Sequence, residues 1–304
     1  MIVNPTAGRG DGESSIPVIE RCLSEAGLDF VIERTTHPWH AADLAQGAAI
    51  AGYDVVASAG GDGTANEIIN GLMRAKKMGH SQAALAVLTV GRGNDFAFSM
   101  GIPAELEMAC QALMDNRRRK IDIGLVTGGL FPDGRYFGNG VGIGFDAVVG
   151  FEALKMKYLH GFASYIVAAL KTIFLYFKAP QVQIDYHGNS IKLPALMVSI
   201  MNGRRMGGGF MMAPAGQADD GLLDLIIARE VSRPKIFALI GRFMSGTQAD
   251  HEAIQTEQIR QVSIKALDGI LPAHADGETL CTDGTQLVIE ILPNQIDLIY
   301  APAS

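Results

Sequence analysis

The chain has 304 residues, of which 48% are hydrophobic, so it is long enough to form two domains or one large one. Its formal net charge of −7 argues against a nucleic-acid-binding surface, which would need a basic stripe to neutralise phosphates. The three cysteines, Cys22, Cys110 and Cys281, form no Cys-x-x-Cys pair. This spacing favours a reducing, cytoplasmic compartment over a disulfide framework or a zinc site.

The first 125 residues alternate between predicted strands and predicted helices. Strands are predicted at 1–3, 29–34, 54–58, 84–90 and 121–125, and helices at 15–26, 41–51, 66–75 and 105–114. This alternation is typical of a parallel sheet covered by helices, in which ligands bind at the carboxyl ends of the strands. We therefore expect residues 1–123, joined by the tail 294–304, to form a parallel α/β domain.

Beyond residue 124 the pattern changes to short strands separated by glycines. Strands are predicted at 136–144, 182–186, 190–193, 195–201, 223–228, 262–266 and 287–291, with helices near 162–177 and 234–243. Residues 124–293 are therefore expected to form an antiparallel β domain. The apolar run 162–177 contains Lys171 and is shorter than the roughly 20 residues of a membrane span, so a buried helix is predicted. No transmembrane span and no signal peptide are expected.

A glycine-rich segment, Gly60-Gly61-Asp62-Gly63-Thr64, follows one predicted strand and precedes a helix. Free backbone N–H groups beside a helix N-terminus bind phosphate without side-chain charge. Because Asp62 would repel that phosphate, the segment predicts a nucleotide bound together with Mg²⁺. The alternative is a plain turn in which Asp62 or Thr64 caps the helix.

A second segment of this kind, Gly91-Arg92-Gly93-Asn94-Asp95-Phe96, follows the next predicted strand. Asp62 and Asp95 are expected to converge, because neighbouring parallel strands end at the same edge of a sheet. Asp122 lies between two isoleucines and needs a partner, either a structural hydrogen bond or a metal. Neither a P-loop nor a G-x-G-x-x-G motif occurs, which disfavours P-loop enzymes and dinucleotide-binding Rossmann domains.

Two acidic turns are found in the second half. In His274-Ala275-Asp276-Gly277-Glu278, Asp276 could accept the proton of an attacking hydroxyl during phosphoryl transfer. Asp-Gly is also a common hairpin turn, so this motif alone does not distinguish a catalytic Asp276 from a structural one. The segment 217–224 suits a hard cation held by one carboxylate and backbone carbonyls, or simply a solvated turn.

Two further segments have a structural and a membrane-related interpretation. The basic cluster 117–120 is placed at a predicted helix end, where cations favour the helix dipole, and it could also contact an anionic membrane surface. Phe210-Met211-Met212 is predicted to form core or dimer contacts, with a membrane-binding patch as the alternative. A homodimer is left open.

Taken together, five motifs appear in the order seen in the diacylglycerol kinase catalytic-domain family, which the chain resembles over essentially its whole length. They are Asn4-Pro5-x-x-Gly8, Gly60-Gly61-Asp62-Gly63-Thr64, Gly91-x-Gly93-Asn94-Asp95-Phe96, Asp219-Asp220-Gly221-Leu222-Leu223-Asp224 and Asp276-Gly277-Glu278. The chain is similar to bacterial lipid kinases related to sphingosine kinases. The resemblance implies a nucleotide domain like those of phosphofructokinases and NAD kinases, followed by a C-terminal β-sandwich.

The resemblance also implies roles for individual residues. The ATP-binding residues would be Asn4, Gly8, Thr36, Gly61, Asp62, Gly63, Thr64, Asn66, Glu67, Gly91, Arg92, Gly93 and Asn94. Catalytic Mg²⁺ would be organised by Asp62, Asp95 and Asp122, largely through waters, and a structural Mg²⁺ by Gln217, Asp220 and Leu222. Asp276 would be the general base, with Glu278 assisting at the metal.

The function so implied is an ATP- and Mg²⁺-dependent lipid kinase. It would transfer the γ-phosphate of ATP to a lipid alcohol, above all a diacylglycerol-like one, at a membrane surface. Arg92 departs from the family pattern, where Thr is common, and either pairs with ATP phosphate or points outward. The alternatives are a kinase of a non-lipid substrate such as NAD, which shares the Gly-Gly-Asp-Gly segment, and a non-catalytic nucleotide or lipid sensor.

Overall fold

The computed structural model describes residues 1–80, 82–91, 93–154, 167–168, 171–172 and 179–301. The chain folds into two compact units. Unit 1 comprises Met1–Ile123 together with Pro293–Ser304, and unit 2 comprises Gly124–Leu292. Unit 1 is therefore built from two stretches of sequence that are separated by the whole of unit 2.

Unit 1 contains a parallel sheet. Its strands lie in the spatial order β2 (Glu33–Arg34), β1 (Ile2–Val3), β3 (Val55–Gly60), β4 (Ala84–Thr89) and the end of β15 (Gln286–Ile299). β3 and β4 are buried almost throughout, as expected for central strands of a parallel sheet. The parallel α/β fold predicted for this part of the chain is confirmed.

Six α-helices accompany this sheet among the described residues. They are α1 (Asp11–Ser14), α2 (Ile16–Glu25), α3 (His40–Ile50), α4 (Asp62–Lys77), α5 (Asp95–Ser99) and α6 (Leu106–Asp115). α2 and α6 bury Ile19, Leu23 and Cys110 against Val3 and Leu88 of the sheet. The other long pair, α3 and α4, pack on each other so closely that a β-carbon at Gly71 would lie 2.2 Å from the Ala42 carbonyl oxygen.

Unit 2 consists mainly of antiparallel strands. They are the second part of β5 (Arg118–Gly128), β6 (Phe131–Phe137), β7 (Gly140–Gly144), β8 (Gln181–Tyr186), β9 (Asn189–Met201), β10 (Leu223–Arg229), β11 (Ile254–Ile259), β12 (Gln261–Ala266), β13 (Leu271–Ala275), β14 (Glu278–Gly284) and the first part of β15. β9 pairs with β8 through its first half and with β7 and β10 through its second half. A large core of buried aliphatic side chains lies among these strands. The predicted antiparallel β-sandwich is confirmed.

The described residues of unit 2 include the α-helices α7 (Phe145–Leu154) and α8 (Arg233–Ser245) and the short 3₁₀-helix Gln248–Asp250. α8 buries Ile236, Leu239 and Phe243 in a second, methionine-rich cluster with Met197 and Met212. The segment Phe210–Met212 belongs to this cluster, Met212 as a buried member and Phe210 packed against it. The structure therefore agrees with the prediction of core contacts for this segment.

Several predicted element boundaries were wrong. β2 has two residues and not six, and the predicted strand 136–144 is two strands, β6 and β7. The basic cluster 117–120 does not end a helix, because α6 ends at Asp115 with Asn116 as its C-cap, and β5 begins at Arg118. There Arg119 donates to the Met100 carbonyl oxygen and Lys120 pairs with Asp297. Most of the predicted helix 162–177 lies outside the described residues.

Other elements were absent from the prediction. Among the described residues they are the helices α1, α5 and α7 and the strands β11, β13 and β14. No helix in the part of the chain that the structure describes is long and apolar enough to cross a membrane.

Candidate functional site

The Gly60–Thr64 segment is the start of a helix and not an open loop. Gly60 is the last residue of β3, Gly61 is the N-cap of α4, and the helix begins at Asp62. A β-carbon at Gly60 would lie 2.5 Å from the Thr64 hydroxyl oxygen, so only glycine lets the strand run this closely into the helix. The first N–H groups of a helix have no partner within it and can bind an anion. The helix N-terminus on which the predicted phosphate site depends is thus present, at the start of a 16-residue helix.

The second glycine segment approaches the first at backbone distance. A β-carbon at Gly91 would lie 2.5 Å from the Gly61 α-carbon. The Asp62 carboxylate accepts the Phe96 backbone N–H at 2.9 Å. Both observations place the ends of β3 and β4 side by side.

Asp62 and Asp95 face the same point in space, beside Gly93. A β-carbon built on Gly93 would lie 2.9 Å from Oδ2 of Asp62 and 4.0 Å from Oδ2 of Asp95. Asp95 stands in the first turn of α5, where its charge is favourable to the helix dipole, and only 8% of it is exposed. The two carboxylates therefore converge on a space that a side chain at position 93 would fill. Arg92 lies outside the described residues.

Other residues assigned to the nucleotide site are used in local structure. The Asn4 amide donates to the Thr64 hydroxyl at 3.2 Å, which joins the turn after β1 to the start of α4. Gly8 has φ +61, and a β-carbon there would meet the Asp11 carboxylate at 2.4 Å. The Asn94 amide donates to the Gly91 carbonyl oxygen and closes the second glycine segment.

Three further nucleotide-site candidates are Thr36, in the segment before α3, and Asn66 and Glu67, on α4. The exposed Thr36 hydroxyl lies 2.9 Å from Nδ1 of His37 and 3.1 Å from Nδ1 of His40. The Glu67 carboxylate accepts the backbone N–H groups of Trp39 and Ala41, so it caps the N-terminus of α3. Asn66 is fully buried in α4. Glu67 thus joins the start of α3 to α4.

Asp122 is fully buried on β5 and accepts the Asn294 backbone N–H at 2.7 Å. This bond attaches the C-terminal segment of unit 1 to the sheet. It matches the structural role that the sequence left open for Asp122. The described residues contain no group of three or more His, Cys, Asp or Glu side chains that could hold a metal directly. The predicted catalytic Mg²⁺ would therefore depend on waters and on the nucleotide phosphates for most of its ligands.

The acidic turn before β10, residues 217–224, contains a carboxyl group with a shifted pKa. Asp220 accepts the Leu222 backbone N–H at 2.9 Å, while Gln217 is exposed on the same turn. Burial, together with the charge of Asp220, raises the pKa of Asp224 to about 6. A cation held by Asp220 would relieve this repulsion. Asp224 belongs to the quoted motif, but it was not assigned a role from the sequence.

Asp276 lies in the hairpin turn between β13 and β14, with φ +48. Its carboxylate accepts three backbone N–H groups, those of Gly138 (2.8 Å), Asn139 (3.0 Å) and Gly140 (2.9 Å). These bonds fix the direction of a side chain that is only 8% exposed. Glu278, two residues later, is exposed at the start of β14.

A buried ion pair lies two residues before Asp276, and sequence analysis missed it. His274 Nε2 is 3.0 Å from Oδ1 of Asp146, and the Ser199 hydroxyl donates to the other oxygen of that carboxylate at 3.2 Å. Burial acts to lower the pKa of His274, but the carboxylates of Asp146, Asp276 and Glu278 raise it, and the net direction is upward. The pair was not recognisable from sequence because its members are 128 residues apart.

Comparison with known proteins tests the family prediction. A family model described as the diacylglycerol kinase catalytic domain matches residues 1–126. A second model, described as the YegS C-terminal NAD kinase beta sandwich-like domain, matches residues 139–300. The chain belongs to the diacylglycerol kinase catalytic-domain family. The predicted resemblance is confirmed.

Individual relatives extend the match to nearly the whole chain. A Pseudomonas aeruginosa protein named "Probable lipid kinase YegS-like" is 30% identical over 97% of this chain and 92% of its own. A Bacillus subtilis protein named diacylglycerol kinase is 26% identical, over 91% of this chain and 88% of its own. The solved structure of a Bacillus anthracis diacylglycerol kinase superposes with a TM-score of 0.74 at 23% identity, covering 99% of this chain and 96% of its own. The chain is therefore a member of a kinase family.

Proposed function

We propose that this protein is a lipid kinase that transfers the γ-phosphate of ATP to the hydroxyl group of a lipid alcohol and requires Mg²⁺. The observation that carries the proposal is the convergence of Asp62 and Asp95 beside Gly93, at the N-terminus of α4. Two carboxylates next to a phosphate-binding helix terminus suit a nucleotide that arrives with its cation. A bound Mg²⁺ would neutralise charge on the β- and γ-phosphates.

Residues of unit 1 would bind and orient the donor. The N–H groups at the start of α4 would donate to phosphate oxygens, and glycine at positions 91 and 93 leaves room for them to approach. Asn4 and Thr64, which bond to each other, would line the same pocket. Such fixed donors need no reorganisation during transfer, which is the general source of electrostatic catalysis.

Asp276 in unit 2 is proposed as the group that orients the acceptor hydroxyl and takes its proton. Its three backbone N–H bonds hold the carboxylate in one direction. A positioned base of this kind contributes about 10²- to 10⁴-fold to rate. Glu278 is proposed to assist at the metal.

The lipid part of the proposal is supported by the family and by an apolar pocket in unit 2. The pocket lies beside α7, α8 and β9, and its wall includes Met197, Phe210 and Phe243. It contains about 520 Å³ of space, part of which is open solvent. Such a pocket suits a hydrocarbon chain better than a dinucleotide, and this observation favours a lipid acceptor over NAD.

The test is transfer of labelled γ-phosphate from Mg-ATP to a panel of acceptors. The panel contains diacylglycerol, monoacylglycerol, sphingosine, undecaprenol, phosphatidylglycerol and NAD, each measured with the wild type and with Asp276→Asn. We expect labelled lipid with the wild type and a loss of at least 100-fold in the variant. Label on NAD alone, or no label on any acceptor although ATP binds, would overturn the proposal.

The Asp276→Asn variant needs a folding control, because an amide NH₂ cannot accept the backbone N–H groups that the carboxylate accepts. Urea unfolding should therefore be measured for both proteins. Activity per folded molecule, and not total activity, decides the outcome.

A further inference from the structure

The wall of the unit 2 pocket is apolar except at one place. Among the described residues that line it, only Asp146 and His274 have polar side chains; the others are aromatic, aliphatic, methionine or glycine. Both polar residues are well buried, with 13% and 8% of their side chains exposed. A pocket of this composition binds an apolar ligand and orients it through a few polar contacts.

The fold is built to hold this pair of side chains. Asp146 stands in the first turn of α7, and His274 lies on β13 opposite Gly142 of β7. A β-carbon at Gly142 would lie 2.2 Å from Oδ1 of Asp146, so glycine at that position makes room for the carboxylate. The Ser199 hydroxyl bonds to the remaining carboxylate oxygen.

The two ring nitrogens of His274 differ in their hydrogen bonding. Nε2 of His274 bonds to Asp146, whereas the buried Nδ1 has no hydrogen-bond partner among the described residues. A buried polar atom left unpaired costs about 1–3 kcal/mol, and such atoms in native proteins usually have a functional reason.

We infer that His274 is a specificity-determining residue: its Nδ1–H donates a hydrogen bond to the ester carbonyl oxygen of an acylated lipid whose chain occupies the pocket. The inference rests on the proposed function and makes that function more specific. Asp146 is the positioning residue, because its carboxylate fixes the imidazole through Nε2. An ester group has one carbonyl oxygen that accepts a hydrogen bond and is attached to a hydrocarbon chain. The oxygen would pair with the single N–H donor in the pocket wall, and the chain would contact the apolar remainder.

The charges around His274 favour the form that donates from both nitrogens. The carboxylates of Asp146, Asp276 and Glu278 all act on it. Together they raise the pKa of His274 against the opposing effect of burial. A protonated imidazole has two N–H donors, so Nδ1 requires an acceptor and not a second donor.

The experiment compares two lipids that differ only in the carbonyl oxygens. Kinase activity is measured with a 1,2-diacylglycerol and with the 1,2-dialkylglycerol of equal chain length, which keeps the free hydroxyl and has ether linkages. We expect the wild type to show a KM for the diacyl lipid about 10- to 100-fold lower, with similar kcat. Equal KM values would overturn the role of His274 and leave the lipid-kinase function intact.

Variants assign the preference to one side chain. His274→Gln should remove the preference by raising KM for the diacyl lipid alone, and the matched control His187→Gln, an exposed histidine of unit 2, should retain it. A preference that survives in His274→Gln contradicts the inference. If His274→Gln does not fold, the double variant Asp146→Asn with His274→Gln is measured in its place, because it removes both charges of the pair. The KM comparison of the two lipids in the wild type still decides whether the diacyl lipid is preferred. Failure of the wild type to phosphorylate either lipid would overturn this inference, whereas the acceptor panel described above decides the proposed function.

Discussion

The carboxylate of Asp62 accepts the backbone N–H of Phe96 at 2.9 Å, although 34 residues separate them. The bond joins the segment after β3 to the segment after β4 at the edge where a nucleotide is proposed to bind. Asp62 is therefore both a structural acceptor and a source of negative charge, and the two roles can be separated by mutation.

Asp62→Asn removes the charge and keeps an oxygen that can accept the Phe96 N–H. We expect the free energy of unfolding to change by less than about 1 kcal/mol, while phosphoryl transfer falls at least 100-fold. Urea unfolding and a kinase assay on the same preparation check both parts. Asp62→Ala, which also removes the acceptor, should be the less stable of the two variants. Full activity in Asp62→Asn would show that its charge does not serve the reaction.

Gly71 and Gly47 give opposite predictions for the same substitution. In Gly71→Ala the new β-carbon would lie 2.2 Å from the Ala42 carbonyl oxygen, so α3 and α4 must separate, and we expect a loss of about 1–3 kcal/mol. At Gly47, in the exposed part of α3, no atom lies within 4 Å of the new β-carbon. Gly47→Ala should therefore stabilise the protein by about 0.5–1 kcal/mol. The midpoint of denaturant unfolding, measured for both variants and the wild type, tests the two predictions. The m-values should remain unchanged, so that a shift in midpoint reports a change in stability.

Asp224 predicts a pH dependence of stability. Its pKa is raised from 3.8 in the unfolded chain to about 6, so the folded protein keeps a proton that the unfolded chain releases. This contribution is fully present below pH 3.8 and is lost as the pH rises through about 6. Asp224→Asn should lose that dependence and be more stable at pH 7 by about 1 kcal/mol, because the side chain is only partly buried. The free energy of unfolding of the wild type and of Asp224→Asn should be measured between pH 4 and 8. A difference between the two proteins that does not change with pH would contradict the prediction.

Mg²⁺ should stabilise the wild type through the acidic turn. If Asp220 holds a cation, a hundredfold excess of Mg²⁺ over its Kd raises the free energy of unfolding by about 2.7 kcal/mol. In Asp220→Asn the amide oxygen can still accept the Leu222 N–H, so the turn should remain while the response to Mg²⁺ disappears. Thermal unfolding with and without Mg²⁺, in the absence of nucleotide, compares the two proteins. An equal shift in both would place the cation elsewhere.

His274 predicts a second pH dependence, in a different range. Because its pKa is raised in the folded protein, its stabilising contribution is fully present below the unfolded value near 6.5 and is lost as the pH rises through the folded value. The wild type should therefore lose stability above neutral pH relative to His274→Gln. The quantity to measure is the difference in free energy of unfolding between the two proteins from pH 6 to 9. A difference that stays constant with pH would refute the ion pair with Asp146.

Periodicity predicted the repeating elements of unit 1 well, because each buried strand and each amphipathic helix has its own pattern. It missed α5, whose five residues are too few for a period, and α7, which is apolar on nearly all sides. The prediction also placed the start of α4 at Asn66, since glycine disfavours helices, yet the helix starts at Asp62. Close backbone approaches at Gly60 and Gly91 outweigh that propensity.

Among the residues of the candidate site, those in short local motifs were predicted and those joined by long-range contacts were not. Asp62, Asp95, Asp220 and Asp276 were found because each belongs to a short motif with local turn chemistry. Asp146 belongs to no such motif, and His274 was quoted beside Asp276 without a role; the pairing of β13 with β7 brings the two residues together. Likewise the sequence could not show that Glu67 caps α3, because the donors come from a segment 26 residues earlier. Contacts made across strands and between helices carry no local signature.

The discontinuous make-up of unit 1 affects the order in which this protein can mature. Its sheet is completed by the last part of β15, and Asn294, Asp297 and Tyr300 bond to residues near the start of β5. A nascent polypeptide must therefore hold unit 1 unfinished while all of unit 2 is translated. We expect chains that terminate shortly before Pro293 to be recognised by cellular quality control as incomplete, because the edge of β4 stays uncovered. The segment from residue 293 onward thus determines when unit 1 can first complete its sheet.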